Sequence, residues 1–219
     1  MIGRGNRSGA LSEQRARVLP AASLAVLAAL LFAIGGPSVG PAAAAAAPGL
    51  AGHLIAAAAM PAGWNKEAVP YTKYVPFVPT CPGLPSTADA RTAQAVEAFR
   101  MASGVPAVVE LLATYDAPGP AFALVQRYLT RCITVAGPSH RSKYQFSVSN
   151  QSFPKTGEES VAFSTAFTGA PEIAIESVVV REGDALMEIT LSTKGAPNPA
   201  LLAQMVTRGI NSLTTAAPG

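Results

Sequence analysis

From residue 144 onward, large apolar and small polar residues trade places along the chain. In "KYQFSVSN", Tyr144, Phe146 and Val148 alternate with Gln145, Ser147 and Ser149, the period of a half-buried strand. "ESVAFSTAF", "EIAIESVVVR" and "ALMEITLS" continue the run, interrupted at Gly169-Ala170-Pro171 and at Glu182-Gly183-Asp184. Breaks this short imply antiparallel pairing, because a parallel crossover needs a dozen residues or more. Two stretches carry the helical period instead. "APGPAFALVQRYLTRC" begins with Pro118 and Pro120, suited to a first turn, and sets Phe122, Val125, Tyr128, Leu129 and Cys132 on one face. "NPALLAQMVTRGINSL" offers Asn198 as N-cap, Pro199 at the first helical position, and an apolar stripe of Leu201, Leu202, Met205, Val206, Ile210 and Leu213.

Upstream the pattern is less regular. Gly104 separates two apolar runs, residues 94–101 and 105–115. The second fits a helix by composition and a strand by its β-branched start; we read the two as a strand pair. Residues 48–80 read as a lead-in, with a short helix from Leu54 stopped by Pro61 and Gly63. "VPYTKYVPFVPTCPGLP" carries five prolines, which remove ladder donors and favour an irregular or edge segment lying on the domain. The expected class is α+β: a two-layer sandwich of a mainly antiparallel sheet of about six strands with helices packed on it, forming one domain over residues 48–219.

The net positive charge of the chain is confined to its first residues. The net +3 of the 219 residues comes from residues 1–47, where Arg4, Arg7, Arg15 and Arg17 face only Glu13. From Pro48 onward 16 − 4 = 12 basic residues meet 13 − 1 = 12 acidic ones. A neutral domain lacks the electrostatic footprint of a nucleic-acid binder, so no nucleic-acid partner is expected. The basic residues precede an apolar stretch from Val18 to Ile34, a Gly-Gly-Pro break and an alanine run at 42–47 with small-x-small cleavage frames. That is the layout of a signal peptide, or of an uncleaved signal anchor, since about 17 apolar residues is the lower limit for a span. Membrane attachment is expected only through this segment, and the chain is expected to be secreted or extracytoplasmic. Cys81 and Cys132 both lie in the exported part, where an even pair reads as a structural disulfide. Closing a loop of about 50 residues would contribute roughly 4 kcal/mol.

Few residues of the chain could carry chemistry. Only His53 and His140 could serve as a base or a metal ligand. His53 adjoins the processing region, and His140 sits in the polar loop "AGPSHRSK". Neither a nucleophile elbow nor a zinc, nucleotide or P-loop fingerprint is present. "SFPKTGEESVAFS", residues 152–164, sets Glu158 and Glu159 beside Ser160. On a strand, adjacent acids point to opposite faces and would not share a site, so we read the stretch as a turn made by Pro154 and Gly157. Val161 and Phe163 then fall on one face and Ser160 on the other. "REGD" reads as a hairpin turn. Arg141, Lys143 and Lys155 read as a solvated, charge-guarded edge that could alternatively meet an anionic headgroup. No catalytic residue, metal or cofactor is assigned.

Several pieces, in order, carry a resemblance: "HLIAAAAMPAGW", "TCPGL", "FALVQRYLTRC", "QFSVSNQSFPKTGEESVAF", "SVVVREGDALMEITL" and "PALLAQMVTRGINSL". Together, over residues 52–215, they resemble the extracytoplasmic sensor domain of actinobacterial membrane serine/threonine kinases, the PknH-like extracellular domain. The resemblance implies a two-layer fold with a cleft between sheet and helices, a non-enzymatic sensor role, and an unidentified small molecule or cell-envelope component as partner. This chain departs from the kinases in having no kinase domain and one cysteine pair where their sensor domain has two. Other readings stay open: a structural envelope protein, or a hydrolase of unfamiliar type built on Ser160 or the acids.

Overall fold

The computed structural model describes residues 48–68, 84–87, 90–131, 134–136, 145–167 and 172–215. The expected leader, both cysteines, His140, Arg141, Lys143, Tyr144 and nearly all of the Pro-rich lead-in lie outside them. Among the described residues the order is α1 (Pro48–Ala51), a 3-10 turn (Ala57–Ala59), β1 (Trp64–Glu67), β2 (Arg91–Met101), β3 (Ala107–Tyr115) and α2 (Pro118–Arg131). There follow β4 (Thr134–Ala136), β5 (Gln145–Gln151), β6 (Glu159–Phe167), β7 (Ile173–Glu182), β8 (Ala185–Lys194) and α3 (Pro199–Thr215).

The strands form one antiparallel sheet in the order β1-β2-β3-β8-β7-β6-β5-β4. Two meanders, β1–β3 and β4–β8, are thus joined where β8 returns beside β3. The class is α+β, and eight strands replace the expected six or so. The two additions, β1 and β4, are four and three residues long, too short to show a period-two pattern. Both lie at the sheet edges. At the β1 edge, Lys66 pairs with Glu97 at 2.5 Å and Glu67 with Arg100 at 2.5 Å, charges of the kind that guard an open ladder.

The expectation of two layers is also corrected, because the central strands bury both faces. One apolar cluster takes Leu111, Ala113, Val179, Leu186 and Phe163 from the sheet and packs them on Phe122, Val125, Tyr128 and Leu129 of α2. The other takes residues of opposite parity, Val108, Leu112, Val178, Val180, Met187 and Ile189, and packs them on Leu202, Met205 and Val206 of α3. Alternate side chains leave a strand on opposite sides, so α2 and α3 cover opposite faces of the sheet. The long apolar runs of β3, β7 and β8 are what a doubly covered sheet requires.

Both helices begin as their sequences predict. Asn198 Oδ1 accepts the Leu201 N–H at 3.1 Å, an N-cap, with Pro199 behind it. The helix expected from Leu54 is instead a buried turn: Leu54 and Ile55 enter the α3-side core, and helical structure is confined to α1 and the Ala57–Ala59 turn.

Candidate functional site

The Glu158-Glu159-Ser160 stretch is built as a turn, in a way that revises one expectation. Gly157 has φ +64°, and the Glu158 N–H donates to Arg181 O at 3.1 Å. Strand β6 therefore starts only at Glu159, and Glu158 does not obey strand alternation. The two acids converge after all: Arg181 Nε donates to Glu159 Oε2 at 2.6 Å, and its Nη1 pairs with Glu158 Oε2. Glu159 and Arg181 are direct cross-strand partners. Both carboxylates are thus held by one cation at the sheet surface. Ser160 Oγ accepts the Thr156 N–H at 3.1 Å, which closes the turn. Phe163 and Val161 pack on the α2 side, and Ala162 on the α3 side, as expected. Lys155 is exposed. The Nδ1 of His53 lies 3.4 Å from Leu213 O near the end of α3.

More unusual groups sit inside the molecule, at positions that no sequence motif marks. Glu110 of β3 and Glu188 of β8 are buried in two neighbouring interior strands, one on each face. Glu110 shares parity with Val108 and Leu112, so it points under α3. Its Oε2 accepts the Ile55 N–H at 2.7 Å, while Oε1 is buried without a hydrogen-bond partner. Burial pushes its pKa up to about 7; the Ile55 N–H opposes this and Glu97 adds to it. Helix α3 comes close here because residue 209 is glycine: a Cβ would lie 2.6 Å from Met187 Sδ and 3.2 Å from Glu110 Oε1.

Glu188 points the other way, to the α2 face. It accepts from Thr190 Oγ1 at 3.0 Å, and Thr190 Oγ1 lies 2.7 Å from Ser177 Oγ. Burial pushes its pKa up to about 8, against the opposing hydrogen bonds of Thr190 and Ser177 and the charge of Arg91. Arg91 anchors the same side of the sheet. Its Nε donates to Tyr115 OH at 3.0 Å and its Nη1 to Gln94 Oε1 at 2.7 Å. Tyr115 OH donates in turn to Thr87 O at 2.9 Å, and Tyr128 OH of α2 to Pro85 O. The segment that follows the cysteine-bearing lead-in is thus tied to β3 and α2 by two tyrosine hydroxyls. The result is a buried Glu188–Thr190–Ser177 cluster, acted on by the charge of Arg91, beside an apolar wall.

A lone acid inside an apolar run such as "VVELLA" or "LMEITL" was the available signal for both glutamates. In a strand covered on both faces, it has nowhere to go but inward. Among the described residues no group of three or more His, Cys, Asp or Glu could hold a metal ion.

No family model matches the chain, and no curated protein does. Among solved structures, the chain is similar to the extracellular domain of PknH from Mycobacterium tuberculosis. The TM-score is 0.42 at 12% identity, over 57% of this chain and 66% of that one.

Proposed function

We propose that the chain is an exported, non-enzymatic sensor-type domain that binds a small ligand or cell-envelope component on the α2 face of its sheet. The observation that carries the reading is the buried Glu188–Thr190–Ser177 cluster, on which the charge of Arg91 acts. A few convergent polar groups against an apolar wall, including an acid of strongly perturbed pKa, are the chemistry of a ligand site. The absence of catalysis is part of the proposal, and the turn supports it. Ser160 and its neighbouring acids, the one nucleophile-and-acid grouping suggested by the sequence, are taken up in holding a turn and Arg181. Export rests on the Arg-rich start, the apolar stretch and the alanine run of residues 1–47, and the oxidising compartment it implies pairs Cys81 with Cys132.

A thermal-shift screen against cell-wall fragments and lipids tests binding, since a ligand raises Tm by mass action. The expected result is stabilisation by at least one class, lost in Glu188→Gln and Thr190→Val variants that keep the wild-type fold. No shift with any of them, and no surface partner captured by crosslinking, would sink the reading and favour a structural envelope protein. Mass spectrometry of the exported form checks the rest: a mature N-terminus near the alanine run, and a mass lower by the two thiol hydrogens.

A further inference from the structure

The segment from His53 to Ala59 is held over the α3 face at three points. The Ile55 N–H donates to Glu110 Oε2 at 2.7 Å, Arg208 Nη1 on α3 donates to Ala59 O, and His53 Nδ1 lies 3.4 Å from Leu213 O. Leu54 and Ile55 are buried against the cluster that holds Met205 and Val206. Of the three ties, only the central one is made to a carboxylate in the core. Glu110 is 1% exposed, and its second oxygen has no hydrogen-bond partner among the described residues.

We propose that this segment is a proton-controlled strap, which closes over Glu110 while that carboxyl is protonated and loosens when it ionises. When protonated, Glu110 keeps a carbonyl oxygen for the Ile55 N–H and buries no charge. When ionised, it leaves a buried anion with a single donor, and no neighbour compensates it. The facing residue on β2 is Glu97, a like charge already paired with Lys66 of β1. From β8 come Met187 and Ile189, both apolar. From α3 comes Gly209, while Arg208 of the next position is engaged with Ala59 O. His53 of the strap itself lies at Leu213. Burial is the largest cause raising the Glu110 pKa from 4.5 to about 7. Ionisation therefore favours any state in which water reaches the carboxylate. The strap joins the apolar leader to β1, so its release would lengthen the tether of a chain that keeps the leader. The inference concerns the face opposite the proposed ligand site and does not depend on that reading.

Amide hydrogen exchange on the full chain, normalised to the unstructured rate at each pH, tests the proposal. Protection of the Ile55 amide and its neighbours should fall roughly tenfold or more between pH 5.5 and 8.5 through a local opening with little denaturant dependence, while the Val178 and Leu191 amides in mid-sheet exchange only through global unfolding and stay better protected at each pH. Glu110→Gln should flatten the pH dependence of the strap, and Glu188→Gln should leave it as in the wild type. Unchanged strap protection in the wild type, or the same fall in Glu110→Gln, would overturn the proposal. If Glu110→Gln does not fold, the wild type still decides, because an Ile55 amide that exchanges with the same free energy and denaturant dependence as Val178 at each pH would mean global unfolding and no strap.

Discussion

Two glycines take positive φ in turns that meet at the ends of β6, β7 and β8, and only one has no space for a side chain. At Gly157, φ +64°, a Cβ would stand 2.5 Å from Val180 Cγ1 and 2.8 Å from Arg181 O. At Gly183, φ +58°, a Cβ would meet nothing within 4 Å. Gly183→Ala should therefore cost only the left-handed penalty, about 1–2 kcal/mol. Gly157→Ala adds a backbone collision and should cost clearly more, read as a larger drop in denaturant midpoint at unchanged slope. Equal losses would mean that the turn can shift to admit the methyl. At this scale the turns were legible, because the demand for positive φ falls on a single residue type. The convergence of Glu158 and Glu159 on Arg181 was not, since it depends on where β6 begins. Nor was the setting of Glu110, whose hydrogen-bond donor lies 55 residues away along the chain.

Among the elements, α3 shows how a local signal and a distant one combine. Asn198 caps the helix through its side chain, and its own N–H donates to Glu176 Oε2 of β7 at 2.7 Å. Asn198→Ala should cost about 1 kcal/mol, the usual worth of a cap. Glu176→Ala should cost about 1–3 kcal/mol, because it leaves the Asn198 N–H without its partner at a part-buried site. Thermal unfolding of both variants checks this, and a Glu176→Ala loss no larger than that of Asn198→Ala would mean that water replaces the carboxylate. The cap and stripe of α3, the face of α2 and the alternation of β5 could be read from spacing, because each extends over enough residues to show its period, whereas β2, β3, β6, β7 and β8 were legible as apolar, β-branched runs between turn residues. The edge strands β1 and β4 could not. Their pairing is supplied by neighbours already in the sheet, and their own few residues carry no period.

For the whole molecule, covering the sheet on both faces has an electrostatic consequence. Each face buries one carboxylate whose pKa is raised, Glu110 to about 7 and Glu188 to about 8, while the unfolded chain titrates near 4.5. Between those values the native state binds more protons than the unfolded one, so stability falls as pH rises. From these two groups, stability is complete below about pH 4.5. It declines through 7 for Glu110 and 8 for Glu188, and is level above that. Each tenfold change in proton affinity corresponds to about 1.4 kcal/mol, so the two together are worth several kcal/mol at alkaline pH. The fold should thus be more stable at pH 5 than at pH 8.5. A Glu110→Gln/Glu188→Gln double variant should gain stability at pH 8.5 and lose most of the slope between pH 5 and 8.5, as measured by urea unfolding at each pH. The two sites lie on opposite faces, so their contributions should add, and each single variant should remove its own part of the slope. A double variant with the wild-type slope would show that water reaches both carboxylates in the folded protein.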